Sequence, residues 1–561
     1  MHAGRWLSVA LVGTIASLAG AQTVRCNGET ISEISIVTHP PYEELGTRWW
    51  EAPLRLATQL HVTTNPSVIR RFLIVKPGRA CIERERTESE RILRAQPFLA
   101  DATIAVVPDT EGRVALLVET RDELTPVLGG AASGARLRAL KIGEGNFLGS
   151  GTYIAGEWRD GKTRDTYAFR GVDHQFLGRH YVFAASYARR DYGMGDWSVD
   201  LSHPFFTDQQ RFAWRASAGE LRELFAFRRV DDTARVLLEF DRQFLDVGAI
   251  MRIGVPGRLS LFGVSFSQEE DIPFLPPTPP VPGVPYDSLL ARHAPRRNAR
   301  VNALWGLRNL RFQRVERFEG LTATQDIRLG FQLGTLIGRS LSVLNTTDDD
   351  YLVAADLYAG VGGESGIVTI SARGEGRQNY DTNKWDGILG SARLAMIRRL
   401  SPRHTATISL DWSGGWRQRI PFQLELGHRL GGVRGYRRSE EAGARRAVAR
   451  LDHRWYLGQL KRQADVGVAV FGDAGRVWKG DAPYGVDSPI RYAAGVSLLA
   501  AIPPRSKRTW RLDLAVPLGG RANANWEVRL TSAVAGRDWR EPTDASRSRE
   551  HSVPASVFNW P

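Results

Sequence analysis

Val466-Gly467-Val468-Ala469-Val470-Phe471-Gly472-Asp473-Ala474-Gly475 is the stretch that decides how this chain folds. It alternates strictly. Val466, Val468 and Val470 take one face of a strand, and Gly467, Ala469, Phe471 and Asp473 take the other. If the valine face meets hydrocarbon, Asp473 points into the interior of a barrel, where an unpaired carboxylate is costly. Upstream, Val433-Arg434-Gly435-Tyr436 sits in a polar, arginine-rich segment with the character of a long loop. Arg434 is the matching cation, so the expectation is a loop folded back into the lumen and tied there. The alternative is a solvated Arg434 and an Asp473 that meets water in a pore. Arg450, Asp452 and Arg454 lie nearby and compete as partners. An exposed pair contributes about 0–1 kcal/mol, whereas breaking an enclosed one strands a charge. Gly435 permits a tight bend, and Tyr436 can pack beside the strand wall.

The same two-residue period recurs around this stretch. Ala406, Ile408, Leu410 and Trp412 oppose Thr407, Ser409 and Asp411. Trp510, Leu512, Leu514, Val516 and Leu518 oppose Arg511, Asp513 and Ala515, and Trp526, Val528, Leu530 and Val534 oppose Glu527, Arg529 and Thr531. One face is apolar and the other charged, the pattern of lipid outside and a polar lumen inside. A soluble β-sandwich also alternates, but the regular spread from 136 to 540, with no second sandwich signature, favours the barrel. At about 25 residues per strand and turn, that length gives roughly sixteen antiparallel strands, an even number as bacterial barrels require. Five strands are expected after the Val433–Tyr436 loop, near 447–455, 464–473, 490–499, 509–518 and 526–536. They return the chain to the side on which it entered.

The two motifs resemble the VRGY lumen loop and FxDxG strand of the BamA/TamA superfamily, the outer-membrane insertases and translocases. Three further stretches support the resemblance. Asn146-Phe147-Leu148-Gly149-Ser150-Gly151 is similar to the NFLGxG turn near the start of such barrels, His203-Pro204-Phe205-Phe206 to their PY[FL] turn, and Arg511–Leu518 to their penultimate strand. The resemblance runs from about residue 30 to about 540. It implies that Val433, Arg434, Gly435 and Tyr436 brace the lumen against Phe471, Asp473 and Gly475.

Composition agrees with export and a barrel. Arg5, the apolar run Trp6–Leu18 and the small residues Ala19-Gly20-Ala21 read as a signal peptide over 1–21. The run is shorter than the ~20 residues a spanning helix needs, and Cys26 lies too far from the cleavage site for a lipid-attachment cysteine. The 16 Trp, 22 Phe, 14 Tyr and 56 Gly suit aromatic girdles and tight turns. A net charge of +14 from 75 Lys and Arg is scattered rather than clustered on one helix, so nucleic acid is not the expected partner. Lumen charges and basic loops facing anionic headgroups of outer-membrane lipid, lipopolysaccharide included, fit better. Cys26 and Cys81 are the two cysteines; in an oxidising compartment they could pair, but spacing leaves that open.

Residues 22–130 read as a small α/β unit. Ile34 and Ile36 mark a first strand, Trp49–Leu60 and Glu83–Ala95 helices, and Asn65-Pro66 and Lys76-Pro77-Gly78 breaks. Ala102, Ile104 and Val106, then Val114, Leu116 and Val118, mark two strands joined at Asp109–Gly112. The order, together with Val75–Gly78 and Leu93–Leu99, resembles one POTRA domain, whereas the main assembly insertases carry several. Pro273–Tyr286 reads as an irregular extracellular loop and 541–561 as a polar tail beyond Trp539. The superfamily usually ends on the aromatic of its last strand, so the tail is a departure.

No HExxH, CxxC, GxSxG or Walker A pattern appears, and the histidines lack metal-ligand spacing. His453 shares the apolar parity of Leu451 and Trp455, but no serine matches it as a barrel phospholipase requires. No catalytic, cofactor or metal site is expected. The reading is an all-β transmembrane barrel of about sixteen strands with one POTRA-like domain, a monomer in the cell outer membrane with that domain in the periplasm. It would assist insertion, assembly or translocation of unfolded client proteins. A client strand would meet the POTRA-like sheet edge, and the barrel would open between 136–147 and 526–536. A passive pore, an envelope-organising structural protein and a two-partner-secretion transporter are the alternatives.

Overall fold

A computed structural model describes residues 25–133, 136–160, 165–189, 195–230, 232–275, 281–519 and 526–535. The expected signal segment 1–21, the pairs Pro276-Pro277 and Pro279-Pro280, Trp539 and the tail 541–561 lie outside those residues.

The N-terminal unit runs β1 (Asn27–His39), α1 (Ala52–Leu60), α2 (Pro66–Phe72), β2 (Ala80–Ile82), α3 (Glu83–Arg94), β3 (Leu99–Pro108) and β4 (Val114–Asp122). Its sheet order is β2-β1-β4-β3, with β1 parallel to β4 and the other pairs antiparallel. Ala102, Ile104, Val114, Leu116 and Val118 alternate into the core, where Val68, Ile69, Phe72, Ile92 and Leu93 of the helices cover them. Asn65-Pro66 is a helix start rather than a break. The Asn65 side chain accepts the Ser67 N–H as an N-cap, and Pro66 supplies the first helical φ. A Ser-Val-Ile-Arg-Arg-Phe segment is too short for its period to declare itself, which is why pattern alone missed it.

Cys26 and Cys81 are bonded, with Cα atoms 5.0 Å apart across 55 residues of sequence. The bond holds the short edge strand β2 to the start of β1. Replacing both cysteines with serine is expected to lower the stability of this unit by about 4 kcal/mol, the chain entropy of a loop that long. Hydrogen exchange at β1 and β4 in the intact chain, with and without the substitutions, measures it.

Over the described residues the chain then forms a closed barrel of 20 strands. Short strands come first: β5 (Pro126–Ser133), β6 (Arg136–Phe147), β7 (Thr152–Arg159), β8 (Thr166–Asp173), β9 (Val182–Arg189) and β10 (Gly195–His203). Long ones follow: β11 (Phe212–Arg229), β12 (Asp232–Val255), β13 (Arg258–Phe274), β14 (Arg296–Glu316), β15 (Thr324–Ser340), β16 (Asp350–Gly363), β17 (Gly366–Asn379), β18 (Trp385–Ser401) and β19 (His404–Trp416). A two-residue hairpin, β20 (Leu424–Glu425) and β21 (Ala442–Gly443), sits inside the next loop. The last five strands are β22 (Arg445–Leu460), β23 (Ala464–Trp478), β24 (Arg491–Ala501), β25 (Arg508–Leu518) and β26 (Glu527–Val534), and β26 closes beside β5.

Two expectations change. The first barrel strand is Pro126–Ser133, not one near 136, and it is joined to β4 by only Glu123-Leu124-Thr125. The described strands number 20 rather than about sixteen, because β5 to β10 are 8 to 12 residues long and follow one another closely in sequence. A strand needs only ~9–11 residues to span a membrane, so an allowance of ~25 per strand and turn undercounts these six. The irregular stretch expected over Pro273–Tyr286 is shorter too: Pro273 still belongs to β13, and Tyr286 opens helix α4 (Tyr286–Arg292).

Parity follows the sequence. Val470, Val496, Leu498, Leu512, Leu514, Val516, Val528 and Leu530 are exposed on the outer wall, whereas Ala469, Phe471, Asp473, Ser497 and Asp513 are buried on the inner one. An apolar belt around a polar interior is the wall of a membrane-spanning barrel.

Candidate functional site

Loop 417–444, between β19 and β22, runs into the lumen and carries Val433 to Tyr436. The Arg434 guanidinium forks onto Asp473 of β23, with Nε 2.8 Å from Oδ2 and Nη2 2.6 Å from Oδ1. The Arg434 backbone N–H donates to the same carboxylate at 3.1 Å. Asp452 of β22 lies 3.3 Å and Asp513 of β25 3.8 Å from the guanidinium, so one cation gathers acids from three strands. The Phe471 ring lies under it, its centroid 3.6 Å from Cζ, adding a cation–π contact in a water-poor site.

The competing cations are placed elsewhere. Arg450 pairs with Asp411 and donates to the Gly432 carbonyl, and Arg454 donates to the carbonyls of Phe318 and Glu319. Asp452 is shared between Arg434 and Arg511.

The two motif glycines permit the close approach. Gly435 has φ +85°, and a Cβ there would stand 3.3 Å from Pro517 of β25. A Cβ on Gly475 would fall 2.7 Å from Val433 Cγ2, displacing the loop. Val433 and Tyr436 pack with Leu426, Val448, Val477 and Ala493, and the Tyr436 hydroxyl donates to the Tyr492 carbonyl at 3.0 Å.

The loop is anchored at three other places. Arg419 forks onto Asp386 of β18 and reaches Asp350 of β16 at 3.2 Å. Gln423 accepts the Arg228 N–H of β11 at 2.7 Å, and that arginine pairs with Glu425 and Glu440. On the last strand, Glu527 accepts the Gly435 N–H at 2.9 Å and the Leu530 carbonyl accepts from Arg429 at 3.2 Å. The loop is therefore a strut from β11 to β26. Beside it, Leu289 of α4 covers the lumen-facing Phe227, Val236 and Leu238, and Arg292 pairs with Asp481.

The other mouth is spanned by the N-terminal unit. Arg94 forks onto Asp326 of β15 at 2.8 Å through both Nε and Nη2. Glu123 accepts the Ser506 hydroxyl and the Lys507 N–H, each at 2.7 Å, from the β24–β25 turn. Two of the weaker sequence motifs act here. In the Asn146–Gly151 turn, Asn146 donates to Thr64 at 2.8 Å, and Thr64 in turn donates to buried Asp122. From the His203–Phe206 turn, Phe206 stacks on His180 with centroids 4.0 Å apart, while His180 Nε2 donates to the Arg71 carbonyl at 2.6 Å. These joints were not legible in sequence, because each polar residue reads as an ordinary turn residue until its partner is known. Between this unit and the barrel wall a cavity of about 310 Å³ remains, lined by Arg94, Glu123, Arg328, Asp452 and Arg511 among others.

The joint depends on pH in two opposed ways. Burial holds His180 below its ordinary value of 6.5. Its contribution is full above that value and is lost as pH falls and the ring takes a proton. Burial pushes Glu123 up, so its share is full at low pH and declines as pH rises. Acidification through the imidazole range is expected to speed hydrogen exchange over α2, and His180→Gln should abolish that acid response while leaving the one from Glu123.

One edge strand of the N-terminal sheet, β3, is capped from within. Ile104 N–H donates to Glu90 at 2.8 Å, its carbonyl accepts from Arg86 at 2.6 Å, and the Ala102 carbonyl accepts from Arg94 at 3.0 Å. Helix α3 thus occupies backbone groups that an added strand needs.

No protein-family model matches the chain, and no curated protein matches it. Among solved structures it is similar to BamA from Haemophilus ducreyi lacking POTRA domains 1-3, at 12% identity over 90% of this chain and 84% of that one, with a TM-score of 0.38. It is also similar to CdiB from Escherichia coli, at 12% identity over 90% and 75%, TM-score 0.39. CdiB from Acinetobacter baumannii gives 12% over 90% and 74%, TM-score 0.40. Likenesses of that size carry no argument about activity.

Proposed function

We propose that this chain is a non-enzymatic outer-membrane barrel of the BamA/TamA superfamily that assists the insertion, assembly or translocation of other proteins. It works as a monomer in outer-membrane lipid, lipopolysaccharide included, with its POTRA-like unit on the periplasmic side. One observation carries the reading: the strut inside the lumen is tied both to the wall at Asp473 and to the closing strand at Glu527. A passive pore gains nothing from such a link. The closure itself is short, since β5 and β26 are each eight residues long. An unfolded client strand would find its template there, between 126–133 and 527–534, rather than between the segments the sequence suggested. The capped β3 edge favours the seam over the POTRA-like sheet as the capture point.

Deleting the gene and profiling the outer-membrane proteome tests the proposal: a defined set of barrel or exported proteins should fall. Photo-crosslinkers at Val528 and Leu128 should trap those clients. An unchanged proteome together with no crosslinks at either position would leave a structural role instead.

A further inference from the structure

Helix α1 is out of keeping with the unit around it, for none of its residues is buried. Trp49 in the preceding 3-10 turn, Pro53, Leu56 and Leu60 follow spacings of four, three and four, which is one face of a helix. That face looks outward: Trp49 is 81% exposed, Leu56 56% and Leu60 71%. An apolar stripe normally faces a core, and an outward one marks a surface that meets something apolar.

The position of the helix says what that is. At its start, Glu51 pairs with the Gln463 side chain and the Tyr42 hydroxyl donates to the Gln463 carbonyl, in the β22–β23 turn. At its end, His61 bonds Thr125 and Asp122, where the chain enters β5, and Asn65 N–H donates to the Gly149 carbonyl of the β6–β7 turn. A nine-residue helix and a four-residue extension reach about 25 Å, which matches roughly five strand spacings of ~4.8 Å. Helix α1 therefore runs under the rim across β24, β25, β26 and β5. On the lumen side of that arc the space is taken, because the β24–β25 turn holds Gln96 and Glu123. The exposed Leu457, Leu460 and Leu148 at the adjoining strand ends carry the apolar belt of the barrel down to the helix. Lys461 and Arg462, also exposed, flank it with positive charge.

We propose that α1 is a membrane-interface helix: its Trp49–Leu60 stripe lies in the periplasmic leaflet beneath the β26–β5 closure, and the occupant of this surface is phospholipid. Belt continuity supplies the apolar surroundings, and the neighbouring cations suit anionic headgroups. The inference rests on the membrane-spanning barrel and not on which proteins the barrel handles.

The test uses the full chain, folded with its disulfide closed, in nanodiscs of phosphatidylethanolamine and phosphatidylglycerol with and without a nitroxide-bearing lipid. A fluorescent label on Leu56→Cys is compared with one on Leu498→Cys, in the belt, and one on Glu111→Cys. Glu111 sits at the β3–β4 turn, about 30 Å from the rim by strand length. Lipid quenching at Leu56 is expected within about twofold of that at Leu498, with none at Glu111. Adding Leu60→Glu should reduce the Leu56 signal without unfolding the unit, since Leu60 is exposed. A Leu56 label that behaves like the Glu111 label overturns the proposal, as does one shielded only when a denatured outer-membrane protein is added. If the Leu498 label is also silent, the proposal falls together with the membrane reading of the barrel.

Discussion

Arg434→Ala is expected to destabilise the barrel more than any other single substitution in the strut. Asp473 is fully enclosed and would lose the guanidinium that meets its carboxylate. Removing one partner of a buried pair costs about 3–5 kcal/mol, and the Phe471 contact is lost as well. The heat-modifiable band in detergent should convert to the unfolded form at a clearly lower temperature. Arg434→Met combined with Asp473→Leu should recover part of that loss, because the apolar pair removes the enclosed carboxylate while Asp452 and Asp513 keep Arg511. An unaltered transition in Arg434→Ala would mean that the tie contributes nothing to holding the loop.

Arg94→Ala is the second, and it acts at the other mouth. The substitution leaves Asp326 and Glu90 without the cation they share, at a joint where Arg94 is nearly inaccessible. By the same argument about 3–5 kcal/mol of docking is lost. The linker Glu123–Thr125 should become accessible to protease, and hydrogen exchange over α2 should rise while the barrel strands stay protected. Because the strut and the docked unit close the lumen in series, neither single variant should give steady conductance in planar bilayers. The double variant should. A steady channel from Arg94→Ala alone would show that loop 417–444 does not block the lumen, and a linker as resistant as in the parent would show that Arg94 does not hold the joint.

Much of this architecture was legible in sequence. The parity of Val466 to Asp473 gave the two faces of β23 directly, since an apolar wall and a charged one cannot exchange sides without a one-residue slip that reverses every side chain. The five strands after the loop were found near their places for the same reason. The early strands were not: β5 to β10 are too short and too lightly patterned to count. The strand beside β26 is Pro126–Ser133 and not 136–147. Helix α2 hid behind an Asn-Pro pair that serves equally well as a cap or a break.

The sequence by itself determined that Asp473 faces inward and needs a cation, because alternation fixes the direction of a side chain and burial fixes the cost of leaving it alone. Only the tertiary structure decided that the cation is Arg434 and not Arg450, which lies directly across the ladder from Asp473 yet turns to Asp411. It also decided that Glu527 takes the Gly435 N–H and that Arg94 meets Asp326, partners 92 and 232 residues apart. Local period constrains what a residue faces. Which distant charge arrives there depends on how the ring closes and how the loop and the N-terminal unit fold back across it, and no short stretch of sequence encodes that.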